Sequence, residues 1–140
     1  MRTNAFLRSM GLTVRPNVDW QAVSDEAIVL KLWRRDARSL NGATQRIQCL
    51  SRPEERPTTR VRGPCWDRRL QALQVLAERS KAGFAVIGDQ KGDDAGPVTI
   101  VNVSTKGVHR IIDIGQGAGR NWWVVIDTRF IDPSVVRRLG

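Results

Sequence analysis

From residue 84 onward the chain breaks into short β-branched or aromatic runs separated by glycines, and this limits its fold more than any other feature. The runs 84–88, 98–103, 108–114 and 122–128 each have the length of a strand, with Gly92, Gly96, Gly107 and the cluster Gly115, Gly117 and Gly119 between them. Connections this short leave no room for a crossover helix, so antiparallel pairing is expected.

Upstream of these runs lies one strong helical signal. Pro64 suits a first helical position, and Trp66, Leu70, Leu73, Leu76 and Ala77 recur on one face, with Gly83 as the expected stop. Asp132 and Pro133 read as cap and first-turn residue of a terminal helix over 134–139. Near the start, Asn4 is expected to cap a short helix carrying Phe6, Leu7 and Met10, with Gly11 ending it. Residues 26–34 are ambiguous: Ser24, Asp25 and Glu26 resemble a helix start, whereas Ile28, Val29 and Leu30 in succession favour a strand. Asn41-Gly42 is a turn signal followed by alternation through Ile47 and Cys49, so two strands are preferred over one helix here. Residues 51–64 hold three prolines and few apolar side chains, a Pro/Arg-rich loop. The expected fold class is therefore α+β: a mostly antiparallel sheet or partial barrel of five to six strands, one main amphipathic helix and a short C-terminal helix. A length of 140 residues with 41% hydrophobic side chains fits one domain with a real core.

Several function classes find no support. No run approaches the roughly 18 apolar residues of a membrane span, and residues 1–16 carry Arg2, Arg8 and Arg15 without the apolar stretch of a secretory leader. Cys49 and Cys65 are too few for a disulfide framework and, with one histidine, form no recognisable metal-ligand spacing. The expected setting is cytoplasmic, with free thiols, no membrane, no metal and no cofactor.

The charge is more informative. The chain carries a net +9, and residues 31–69 hold Lys31 and ten arginines against four acids, a net +7. Such an excess attracts polyanions. Arginine binds phosphate through a planar fork of donors and stacks on bases, whereas charge kept for solubility alone would more often be lysine. Trp33 lies in the same stretch, and Trp122 follows Arg120 at the exit of the glycine cluster. The candidate nucleic-acid-binding residues are Arg34, Arg35, Arg38, Arg46, Arg60, Arg62, Arg68, Arg69 and Arg120, with Trp33 and Trp122 as stacking residues. Trp33 and Trp66 are each also plausible as core residues.

Other constellations are weaker. The 115–120 segment resembles a phosphate cradle, but the next residues read as a strand where such a site needs a helix. Asp89 and Lys91 match half of a metal-dependent nuclease pattern, and the second acid would have to come from Asp67 or Glu78 on the helix. His109 and Asp113 on one strand would stand about 13 Å apart, too far for a dyad. Trp122 and Trp123 must point to opposite faces of their strand, one of them outward.

The function expected first is a small, non-enzymatic nucleic-acid-binding module, for DNA or RNA. The second is a protein-interaction factor, an inhibitor or accessory protein of a mobile element, docking on an acidic protein. A compact metal-dependent nuclease is third. If four to six arginines contact phosphate, log K for binding should fall with log salt at a slope of roughly −3 to −5.

Overall fold

The apolar stripe that begins at Trp66 folds as a helix in a computed structural model of the chain, which describes residues 2–15, 19–50, 64–91, 99–117 and 121–139. Among those residues the order is α1 (Thr3–Ser9), β1 (Gln21–Val23), β2 (Ala27–Trp33), a single 3₁₀ turn (Arg34–Asp36), β3 (Ala37–Asn41), β4 (Thr44–Leu50), α2 (Pro64–Ala77), β5 (Ala82–Lys91), β6 (Thr99–Val101), β7 (His109–Gln116), β8 (Trp122–Asp127) and α3 (Pro133–Leu139). The fold is α+β, with eight strands in one mostly antiparallel open sheet. Two of these exceed the expected six. They are the short strand β1 and the polar edge strand β3, neither of which carries an apolar run.

The sheet order β1-β2-β5-β7-β8-β4-β3, with β6 on β5, puts β2 and β3 five positions apart. In a flat sheet they would be about 24 Å apart, at roughly 4.8 Å per strand. Yet only the 3₁₀ turn joins them, and the four residue steps from Trp33 to Ala37 span at most about 14 Å. The sheet must therefore curl, bringing its far edge round towards β2. Register breaks in β3, β4 and β7 supply local bending.

Helix α2 fills the concave side. Leu73 and Leu76 pack with Ile28, Leu30 and Leu32 of β2, Ile47 of β4 and Val124 and Ile126 of β8. On the opposite face of β2 and β5, Val29, Phe84 and Val86 form a second core with Phe6, Leu7 and Met10 of α1 and Val136 of α3. Strand β2 is thus buried on both faces. That explains its unbroken apolar run and resolves the helix-or-strand ambiguity at 26–34 in favour of a strand.

Some expectations are corrected. Strands β2 and β5 pair in parallel, because the connection between them contains the β3–β4 hairpin and α2, long enough for a crossover. Helix α2 ends at Ala77, where Arg79 takes the left-handed conformation (φ 59°) and donates its N–H to Leu76 O at 3.0 Å. Gly83 is no helix stop: it pairs with Ile28 inside the sheet, and a β-carbon there would lie 3.0 Å from Leu76 Cδ2. Asn4 lies inside α1, whose cap is Arg2. The Asn41 turn forms as expected, with its Oδ1 accepting the N–H groups of Ala43 and Thr44. So does the Asp132 cap, which accepts Ser134 N–H at 2.9 Å. The loop expected at 51–64 lies outside the described residues, apart from Pro64 at the start of α2.

Leu73 is fully buried where α2 meets the curled sheet. Leu73→Ala should cost about 2–5 kcal/mol, read as a lower urea midpoint with an unchanged m-value. A loss below about 1 kcal/mol would contradict this packing.

Candidate functional site

The described arginines of residues 31–69 divide into three environments. In the first, positive charge is internal. Arg69 is 0% exposed and donates through Nη2 to the carbonyls of Trp20, at 2.8 Å, and Lys31. Its guanidinium lies 5.9 Å from the ring centroids of Trp20 and Trp33, which meet edge to face. Its Nε and Nη1, and the Trp33 indole N–H, are buried without a hydrogen-bond partner. Burial lowers the Arg69 pKa to about 10. Arg68 pairs with the buried carboxylate of Asp19, whose other oxygen accepts the Arg15 N–H. Lys31 is also buried and donates to the Asp19 carbonyl at 3.1 Å. Desolvation brings its pKa down to about 8, opposed by Asp19 and reinforced by Arg69 and Arg8. Arg69 is therefore a packing residue, and its expected contact with nucleic acid is corrected because it is fully buried; Trp33 is half-buried, with its indole N–H turned inward and its ring edge to face with Trp20.

The second environment is a carboxylate-paired edge. Arg34 Nη1 lies 2.8 Å from Asp89, and Asn102 Nδ2 donates to the other Asp89 oxygen at 3.0 Å. Arg35 Nε lies 3.9 Å from Asp36. Asp89 is thus occupied by Arg34 and Asn102, and among the described residues no group of three His, Cys, Asp or Glu could hold a metal ion.

The third is an open face. Arg38 of β3 stands directly opposite Arg46 of β4, so both project from the convex side of the curl. Arg46 stacks over the ring of Trp123, 4.6 Å from its centroid. Trp123 pairs with Gly115 across β7–β8, and a β-carbon on that glycine would come within 2.3 Å of the indole. The ring therefore lies flat on the glycine backbone with the guanidinium alongside it. Arg38 bends its Nη1 towards the carbonyls of Arg35 and Ala37, at 3.3 and 3.0 Å. Neither Arg38 nor Arg46 makes an ion pair among the described residues. Trp122 packs against the α2 core, so the outward indole of the pair is Trp123. The register partner Gly115, which leaves room only for a ring lying flat, was the signal for it. Arg60, Arg62 and Arg120 lie outside the described residues, as does the Lys91 side chain.

A cleft of about 250 Å³ opens at the mouth of the curl, beside the 3₁₀ turn. Strand β5 pairs with β7 only at Phe84 and Ala85 and with β6 only from Asp89 onward, and the cleft lies alongside the interval between. His109 lines it, with Nδ1 3.0 Å from the Asp127 carbonyl and its ring 4.8 Å from Phe130. The neighbouring Asp127 carboxylate is bound by the Arg129 side chain and N–H, which hold its pKa down at about 2. Asp113 is remote from His109 and accepts the N–H of Ile114.

No family model, curated protein or solved structure matches the chain.

The buried lysine sets a pH signature. Folding lowers its pKa from 10.5 to about 8, so between these values the unfolded chain binds more protons and stability rises with pH. Cys49 acts in the opposite sense: burial raises its pKa from 9.0 to about 12, so stability falls above pH 9. Between pH 8 and 9 the lysine dominates this pair. Urea midpoints of the native chain should rise over that interval relative to those of Lys31→Met. Parallel profiles for the two proteins would refute the assignment.

Proposed function

We propose that the protein is a small, non-enzymatic nucleic-acid-binding module whose contact surface is the convex face of β3, β4 and β8. The observation that carries this reading is the Arg46–Trp123 stack beside Arg38, on an exposed face, with neither arginine held by a carboxylate among the described residues. Like charges directly across a strand pair destabilise the sheet, so folding alone gives no reason for this pair. A phosphate between the two guanidinium groups would remove the repulsion and take up their donors. The Arg46 guanidinium, carried on the indole, adds a stacking plane tolerant of any base, which favours single strands over duplex.

The rest of the charge acts at longer range. A net +9 raises the local concentration of any polyanion, and Arg60, Arg62 and Arg120 add to it. The two cysteines, both free thiols, fit a reducing compartment, and no helix among the described residues is long and apolar enough to cross a membrane. We assign the activity to the cytoplasm on that basis.

Fluorescence titrations with single-stranded and duplex oligonucleotides at several salt concentrations test the reading. Binding should weaken with salt, and replacing Arg38 and Arg46 together by alanine should reduce the slope of log K by about 1.4, at roughly 0.7 per phosphate contact on a single strand. Affinity that ignores salt, or a double variant that binds like the native chain, would overturn it.

A further inference from the structure

The mouth cleft is separate from the arginine face and has its own chemistry. Its apolar wall includes Val86 and Val103, while Gln45, His109 and Thr128 bring polar groups to it and Arg34 stands at its edge. Because a carbonyl oxygen only accepts, the bond from His109 to Asp127 puts a proton on Nδ1, so in the neutral imidazole the lone pair lies on Nε2, which has no partner among the described residues. The neutral imidazole then offers the cleft a hydrogen-bond acceptor. Phe130, 47% exposed, leans on it with a 34° tilt between the rings and forms a flat, open aromatic wall. Asp89 engages only Nη1 of Arg34, so the rest of that guanidinium remains available to an anion.

We propose that this cleft binds a planar heteroaromatic ring carrying one anionic group, the chemistry of a nucleoside monophosphate. The ring lies on Phe130, an exocyclic amino N–H of the ring donates to His109 Nε2, and the phosphate meets Arg34. The volume of about 250 Å³ is slightly below the roughly 300–1,000 Å³ of drug-sized sites, a size suited to a single nucleotide unit. The ligand is either a free mononucleotide or the phosphorylated end of a strand.

Calorimetric titration of the full chain with adenosine 5′-monophosphate, adenosine, benzoate and a 5′-phosphorylated trinucleotide tests this. The monophosphate should bind at least tenfold more tightly than adenosine or benzoate. Phe130→Ala should weaken it at least fivefold, as loss of a base-stacking platform does, and Arg34→Gln should bring its affinity down to that of adenosine. Both positions are exposed, so both variants should fold, which circular dichroism will verify. Trinucleotide binding tighter than that of the monophosphate identifies a strand end as the ligand, and equal or weaker binding identifies the free nucleotide. The losses caused by Phe130→Ala and Arg34→Gln should persist when each is made in the Arg38/Arg46 double variant, so this site and the convex face can fail independently. No binding of the monophosphate at millimolar concentration, equal binding of benzoate, or indifference to Phe130→Ala would each overturn the proposal.

Discussion

The three-residue turn between β2 and β3 governs the molecule. It obliges strands at opposite ends of the sheet order to begin within about 14 Å of each other, and only a curled sheet permits that. The concavity it creates needs filling, and the one long amphipathic helix fills it. Gly83 lets that helix approach β5 closely, because any β-carbon there would press on Leu76. On the convex side α1 and α3 cover β2 and β5 while β3 and β4 keep Arg38 and Arg46 in solvent, and the mouth of the curl is left partly open beside the turn. Both candidate sites thus follow from one connection.

The same curl divides the basic residues. Arg69 rides on α2 into the interior, where two carbonyls and two indole rings are its main contacts and no carboxylate pairs with it. A buried guanidinium with unmet donors lowers stability, and its depressed pKa expresses that penalty. Asp19 anchors Arg68 in the same corner, so this region tethers α2 to the β1–β2 edge through backbone carbonyls as much as through charge. A local excess of arginine is therefore not in itself a binding surface. Among the described arginines of residues 31–69, the pair on β3 and β4 keeps both exposure and freedom from carboxylates.

How much of this was legible in the residues depends on what each pattern averages over. The last-third strands, the Asn41 turn, the Asp132 cap and helix α2 could all be read, since each rests on local chemistry. The β2–β5 pairing could not, because a parallel partner is set by the path of the intervening chain. Burial of Arg69 was partly legible: it stands three residues after Trp66 and four before Leu73, on the apolar stripe itself, but its charge argued for solvent. The choice between Trp122 and Trp123 was open, since alternation puts them on opposite faces without saying which face is inward. Their register with β7 decides it, and register is a tertiary fact. His109 shares a strand face with Ile111, which packs on the core, so its inward setting was within reach. Phe130 was not, as nothing local marks a loop residue as the wall of a cleft.

The two candidate sites share strands. Gln45 and Arg46 are consecutive in β4, so strand alternation sends one towards the mouth cleft and the other to the convex face. Thr128, at the cleft, follows directly on β8, which carries Trp123 on its outer side. A ligand that tightened the mouth would stiffen the same two strands that hold the arginine–indole stack. Coupling of this kind needs no change of fold: ordering β4 and β8 once lowers the entropic cost of the second binding event. It is reciprocal by thermodynamic necessity, so a strand on the outer face would favour occupancy of the cleft to the same degree.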